Sequence, residues 1–502
     1  MVYVQQTSKK NNFNKLILSF LAGIMLPLAF SPYDLWFIGF ISPAILFFLW
    51  QTATPRQGFY RGYVYGLGMF GAGVNWLHIS INLFGGVNIV GAYIITYALV
   101  TFLAIYPALA GFIYRKYFSK NQILYLLLII PAIWTFFEWC RSWIFTGFPW
   151  LNLGYTQTDT WLAGFAPLLG IYGITWLTTL CAALIVCIFI ANRKQKILAC
   201  IALVFIAIVS FSIKNIQWTT PDSKTRTIAL IQGAIPQKIK WDRKNLKHTL
   251  DVYAKQSKPY WGSDLIIWPE TALPIFYDQA APLIDVLHLQ AMLYQTDILT
   301  GIPIHDNKDN KYFNSIISIG TDPGVYNKRH LVPFGEYLPM DSLLRPILDS
   351  IHIPMSSFSS GNGKPLLYAA GIPIGVSICY EDVFGEEIID ALPEARLLVN
   401  VSNDAWFGDS LAPHQHLQMA RMRAIETGRF LLRATNTGIS AIIDEKGKLI
   451  GVSPQFKPGA LHGTIRTFTG ATPYSVYGNY PVVILSILAM IIGFFIDKKR
   501  KK

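Results

Sequence analysis

The chain has 502 residues, of which 52% are apolar and only 14% charged, too greasy and too poorly charged for a water-soluble protein of that length. A formal net charge of +13 invites a nucleic-acid partner, because a basic balance is the footprint of phosphate binding. Counting by region excludes it: residues 218–475 carry 24 Lys plus Arg against 25 Asp plus Glu, a net of −1, so the whole excess lies in the apolar part and its loops.

Apolar runs near residues 15–31, 35–50, 62–78, 89–114, 123–140, 162–191 and 197–213, with a last one near 478–496, read as eight transmembrane helices, since a bilayer core takes about 20 residues of helix. Lys9 and Lys10 precede the first run and no small-residue cleavage site follows it, so it is expected to remain as an uncleaved anchor. Basic residues cluster at Lys9, Lys10 and Lys15, at Arg56 and Arg61, at Arg115, Lys116 and Lys120, at Arg193, Lys194 and Lys196, and at residues 498–502. These are alternate loops; loops 32–34 and 79–88 hold no Lys or Arg, and 141–161 holds only Arg141. Short basic loops stay in the cytoplasm, so both termini are expected inside and the long segment 218–475 outside.

The expected organisation is a membrane domain over 1–217 with seven spans, a catalytic domain over 218–475, and a last span with a basic tail over 476–502. Within the second, short apolar runs at 227–232, 264–268, 315–319, 374–378, 397–401 and 440–443 read as strands. Residues 416–433 show helical spacing, with Leu417, Ala420, Met422, Ala424 and Phe430 set against Arg421, Arg423 and Glu426. Strands interleaved with helices predict an α/β layered domain. Between 339 and 358, Met340, Leu343, Leu344, Ile347, Leu348, Ile351, Ile353 and Met355 form an apolar stripe, expected to be an arm that touches the bilayer. No internal repeat, glycine-rich phosphate loop or paired-cysteine zinc pattern is present. His414 and His416 are too weak a pattern to predict a metal, and no cofactor is expected.

Of five cysteines, Cys140, Cys181, Cys187 and Cys200 lie in or beside apolar spans and read as small hydrophobes. Cys379 alone falls in the outside segment, at the end of the run Ile374-Gly375-Val376-Ser377-Ile378. Glu270 ends Leu265-Ile266-Ile267-Trp268-Pro269 in the same way, and Lys328 follows Gly324-Val325-Tyr326. Strand ends are where side chains from distant stretches converge in layered α/β folds. A thiol must lose its proton to attack a carbonyl, and a buried carboxylate can take it near neutral pH. An ammonium and a backbone N–H, that of Tyr380, can then hold the oxyanion. Each residue alone has an ordinary structural reading: a buried thiol, a helix cap, an exposed turn. Their joint occurrence at three strand ends does not.

At these residues the chain resembles a known superfamily. Trp-Pro-Glu-Thr-Ala-Leu-Pro around Glu270, Tyr-Asn-Lys-Arg-His-Leu-Val-Pro-Phe-Gly-Glu-Tyr around Lys328 and Ile-Cys-Tyr-Glu-Asp-Val-Phe around Cys379 resemble the Glu-Lys-Cys signature of the nitrilase, or carbon-nitrogen hydrolase, superfamily. With the spans, and with Phe148-Pro149-Trp150-Leu151-Asn152 and residues 401–408, the likeness extends over essentially the whole chain to the apolipoprotein N-acyltransferases. The resemblance implies a nitrilase-like αββα sandwich on a polytopic helical membrane domain, in a bacterial inner membrane with the sandwich on the periplasmic side.

It further implies a ping-pong reaction. Cys379 takes an acyl chain from a phospholipid, typically phosphatidylethanolamine, and passes it to the α-amino group of the diacylglyceryl cysteine of an apolipoprotein. Glu270 acts as base and then acid, Lys328 holds the oxyanion, and Glu336, Tyr380 and Glu381 support them. Trp150, Trp241 and Trp406 line or gate the lipid path, or are interfacial or core aromatics. The expected state is a monomer. Two other functions stay open from the residues: a membrane-tethered amidase or nitrile hydrolase with water as second nucleophile, and a transporter or scaffold with a decayed domain, against which the intact set of three speaks.

Overall fold

The computed structural model describes residues 2–118, 123–339, 341 and 357–499, and it divides into two compact units. The apolar arm proposed between 339 and 358 falls almost wholly outside the described residues.

The first unit comprises residues 1–78, 89–216 and 477–502 and is helical. Among the described residues, five stretches are long and apolar enough to cross a membrane: Asn12–Ala29, Ile89–Tyr117, Ile123–Arg141, Trp161–Ile190 and Arg193–Lys214; Ile38–Gln51 and Tyr480–Ile496 are shorter apolar helices. The expected span at 62–78 belongs to the helix Pro55–Gly73, which does not reach that standard because small and polar residues replace aliphatic ones. The reason is packing. A Cβ on Gly58, Gly62 or Gly66 would stand 2.6, 2.2 and 2.7 Å from the nearest backbone atoms of Gly111, Pro107 and Ala104, so spaced glycines let this helix lie directly on Ile105–Tyr117, the small-residue contact by which helices associate in lipid.

The second unit comprises Gln217–Val476 together with Ile79–Asn88. Its strands are β1 (Thr220–Gln232), β2 (Leu265–Ile267), β3 (Asp297–Asp306), β4 (Lys311–Ile319), β5 (Gly324–Asn327), β6 (Leu366–Ala369), β7 (Ile372–Ile378), β8 (Leu397–Ser402), β9 (Leu431–Thr435), β10 (Ala441–Ile443), β11 (Leu449–Val452) and β12 (Gly459–Thr469). They form two six-stranded sheets, ordered β12-β1-β2-β3-β4-β5 and β11-β10-β9-β8-β7-β6. Each has a parallel centre, β1-β2-β3 and β7-β8-β9, flanked by antiparallel strands.

The central strands are largely apolar because both faces are covered. Ile228, Leu230, Leu265 and Ile267 meet Ile374, Val376, Val399 and Val401 in a core between the sheets. Their alternates Ala229, Ile231 and Ile266 face a helical layer carrying Tyr253 and Leu287, and on the far side Leu398 and Leu431 pack on Leu417, Ala420 and Ala424. The unit is thus a two-sheet sandwich between helical layers.

The helix expected over 416–433 is Ala412–Thr427. It ends at Gly428, whose φ of +61° is the left-handed cap that glycine takes without a Cβ clash, and the residues beyond open β9. Nor is it amphipathic: Arg423 and Glu426 are buried as an ion pair at 3.0 Å.

Candidate active site

Glu270, Lys328 and Cys379 follow β2, β5 and β7, at the ends of strands from both sheets, and all three are buried. Glu270 sits in a turn pressed on β3. A Cβ on Gly301 would come within 2.3 Å of Thr271 N and 2.7 Å of Glu270 Cα, so only glycine at that point of β3 admits the turn. Asn314 on β4 donates to Glu270 Oε1 at 2.7 Å. The other oxygen, Oε2, is buried and has no hydrogen-bond partner among the described residues. That oxygen can take a proton. Burial raises the carboxyl above its ordinary value, with Glu336 adding to the rise and Lys328, Lys240 and Asn314 opposing it, which suits a base working near neutral pH.

Lys328 Nζ donates to Glu336 Oε2 at 2.7 Å. Against the cost of burial, Glu336, Glu270 and Cys379 hold its ammonium above the ordinary lysine value, so it is a fixed cation. Glu336 also accepts from Val332 N at 2.8 Å and from Asn314 Nδ2 at 3.1 Å. Both its oxygens are engaged, the geometry of a strut rather than of a proton carrier.

Cys379 has φ +51°, a left-handed conformation that is costly for a side chain with a Cβ. Neighbours on both sides maintain it. Asn400 on β8 donates to Cys379 O at 3.2 Å, and Glu381 Oε2 accepts from Ile378 N at 2.7 Å. The other oxygen of Glu381 accepts from Tyr326 Oη at 2.9 Å, Arg329 N at 2.6 Å and His330 N at 3.1 Å. One carboxylate therefore ties the turn that carries the thiol to the loop that carries Lys328. Burial and Glu270 push the Cys379 thiol far up while Lys328 draws it back, so the resting group is a thiol whose ionisation requires a proton acceptor beside it.

Tyr380 lies in the first turn of the short helix Cys379–Val383, its ring edge-on to His330 and Phe384 at 5.7 and 5.0 Å. Trp241 is exposed and Trp406 meets Phe84 edge-on at 4.8 Å within the same unit. Trp150 belongs to the helical unit, buried against Trp76 and Phe148. The ring of His416 lies between Asp382 at 2.6 Å and Asp404 at 3.2 Å, and no group of three or more His, Cys, Asp or Glu that could hold a metal ion occurs among the described residues.

Three buried residues were not singled out in the sequence. Lys240 donates to Glu270 O at 3.0 Å; Asn314 holds both glutamates; and Arg433 donates to Asp382 at 2.8 Å and to Asn400 Oδ1 at 2.6 Å, bracing the amide that holds Cys379. Arg433 had a legible signal, a charge inside the apolar strand Leu-Leu-Arg-Ala-Thr; Lys240 and Asn314 had none.

The two-sheet sandwich is the part of the chain that the carbon-nitrogen hydrolase family model matches, over residues 227–474. The model of the apolipoprotein N-acyltransferase N-terminal domain matches residues 22–184. Over nearly its full length the chain is similar to two proteins named apolipoprotein N-acyltransferase. That of Methylococcus capsulatus is 42% identical over 97% of this chain and 96% of its own; that of Nitrosomonas europaea is 43% identical over 96% and 97%. A solved carbon-nitrogen hydrolase from Helicobacter pylori is 15% identical with a TM-score of 0.38, covering 48% of this chain and 89% of that one. The chain belongs to the apolipoprotein N-acyltransferase family.

Proposed function

We propose that the protein transfers a fatty acyl chain from a phospholipid to the α-amino group of a diacylglyceryl cysteine at the N-terminus of an apolipoprotein, through a thioester on Cys379. Glu270 Oε2 takes the thiol proton as Sγ attacks the donor ester carbonyl. Lys328 and the N–H of Tyr380 hold the oxyanion. As the tetrahedral intermediate collapses, Glu270 returns the proton to the departing alkoxide, and the lysophospholipid leaves. The amine of the acceptor then attacks the thioester, Glu270 receives its proton, and the amide and the free thiol result. The single observation that carries this reading is Glu270 Oε2, a buried carboxylate oxygen with no hydrogen-bond partner among the described residues, in electrostatic contact with a buried thiol and a buried ammonium.

Glu381 and Glu336 act as positioning residues, and Trp241 and Trp406 stand toward the lipid. The alternation of basic loops supports eight spans with both termini in the cytoplasm and the sandwich on the outer face of the inner membrane; the helix Pro55–Gly73 and the two shorter apolar helices complete the five long ones. Both substrates then have their acyl chains in the bilayer that anchors the enzyme, and neither need be extracted into water. Phosphatidylethanolamine is the proposed donor and the monomer the working unit.

The test uses purified full-length protein with labelled phosphatidylethanolamine. An acyl adduct on Cys379, cleaved by neutral hydroxylamine, absent in Cys379→Ala and discharged by a diacylated lipopeptide, is the expected outcome. Absence of the adduct together with hydrolysis of a small amide would establish the hydrolase instead.

A further inference from the structure

The site contains a second buried ammonium that the acyl-transfer mechanism leaves unused. Lys240 closes the short helix Gln237–Lys240 and is 3% exposed. Its one hydrogen bond among the described residues runs 3.0 Å to the main-chain oxygen of Glu270. The segment that carries it is pinned on the far side: Asn436 accepts from Ile235 N at 2.9 Å and donates to Ile235 O at 2.8 Å, and Asn403 donates to Gln237 at 2.7 Å. A flexible, strongly hydrated cation has thus been fixed inside the protein against one turn, which is costly unless the charge is answered there.

The charges of the site show what answers it. Three carboxylates, Glu270, Glu336 and Glu381, and two ammonium groups, Lys328 and Lys240, are electrostatically coupled around the Cys379 thiol. Lys328 is committed to Glu336 at 2.7 Å. Among the described residues Glu270 forms no ion pair, and its one side-chain donor, Asn314, is neutral. Lys328 acts on Glu270 as well as on Glu336 and Glu381, so without Lys240 one ammonium would face three carboxylates, a balance that favours the protonated form of a buried carboxyl.

We propose that Lys240 is a positioning residue for acyl transfer: it fixes the Glu270 turn and supplies a second positive charge, beside that of Lys328, that favours the ionised Glu270 able to accept the thiol proton. This rests on Glu270 acting as the base. The charged and titratable groups facing Glu270 are Lys240 from the Gln237–Lys240 helix, Lys328 and Glu336 from the loop after β5, and Cys379 from the end of β7. Burial lowers the Lys240 ammonium to about 8, with Glu270 and Cys379 opposing the fall, so it is charged over the acidic and neutral range where the base must ionise.

Removing that charge raises the carboxyl, and the ionised fraction of Glu270 at a given acidic pH falls. The experiment is single-turnover acylation of Cys379 by phosphatidylethanolamine in detergent micelles from pH 5 to 9, followed by intact mass, on full-length protein and its Lys240→Met, Lys240→Gln, Lys240→Arg and Glu270→Gln variants. In Lys240→Met the midpoint of the acid limb is expected to move up by about one pH unit or more, the effect of deleting a nearby opposite charge. Acylation should then be about tenfold slower on the acid side, with the rates converging at high pH. Lys240→Gln keeps a donor without the charge and is expected to show the same shift, which preserves the test if the methionine variant does not fold; Lys240→Arg should return the midpoint toward wild type. A wild-type midpoint in Lys240→Met or Lys240→Gln, however slow the enzyme, overturns the proposal. Glu270→Gln separates the two readings: loss of acylation at every pH supports Glu270 as base, whereas wild-type acylation by that variant removes the base and Lys240's role with it.

Discussion

Glu381→Gln probes the link between the nucleophile and the loop of Lys328. The native carboxylate is 2% exposed and accepts four hydrogen bonds, three on Oε1 and one on Oε2. A glutamine has one acceptor oxygen. Its better orientation keeps that oxygen toward Tyr326, Arg329 and His330 and turns the amide N–H₂ against the N–H of Ile378, a donor facing a donor. One charge-assisted bond is lost, worth roughly 1.5–3 kcal/mol, and the remaining three weaken from charged to neutral at perhaps half that each. Relief of a buried charge offsets part of the sum, leaving a loss of about 3 kcal/mol. At roughly 2–4 °C per kcal/mol for a domain of this size, the melting temperature should fall by roughly 6–12 °C. Unfolding of the full chain in detergent, followed by exposure of Cys379 to a thiol-reactive dye, measures it. Because the same bonds set Lys328 against the thiol turn, kcat should drop about tenfold or more while KM holds. A fall below about 2 °C with kcat intact would refute the reasoning.

Three further outcomes follow from the geometry. Cys379 occupies φ +51°, so Cys379→Gly, though inactive, should be about 1 kcal/mol more stable than Cys379→Ala; equal stability in chemical denaturation would mean that the turn is unstrained. Against the cost of burial, Arg433 and His416 hold Asp404 well below the ordinary carboxylate range. A depressed acid stabilises the fold above its unfolded value and loses that contribution as pH falls through the folded one, so wild-type stability should decline below about pH 4. Asp404→Asn should be less stable at pH 7 yet flatter with pH, and a parallel profile would contradict the assignment. In the membrane unit, Gly62→Leu places a side chain where even a Cβ lies 2.2 Å from Pro107 O, whereas the nearest atom at Gly71 is 3.6 Å away. Size-exclusion profiles should show loss of monodisperse protein for Gly62→Leu and none for Gly71→Ala.

How much of this was legible in the chain depends on whether the information was local. The strands at 227–232, 264–268, 315–319, 374–378, 397–401 and 440–443 announce themselves because they are largely buried and the runs are mostly apolar. β12 does not, for in Gly459–Thr469 exposed polar residues interrupt the buried ones. β9 was absorbed into the preceding helical pattern because buried Arg423 and Glu426, paired with each other, mimic a solvent face; only Gly428 marks the boundary. The same division runs through the site. Glu270, Lys328 and Cys379 each end an apolar run, and a polar residue in that position is conspicuous. Which cation answers which carboxylate is not, because it depends on contacts across the fold. Lys328 finds Glu336 eight residues away, but Lys240 reaches Glu270 across 30 positions and Asn314 reaches it across 44. The three polar groups are legible as residues; the electrostatic surroundings of Glu270 exist only once β2, β4 and the helix Gln237–Lys240 have been brought together.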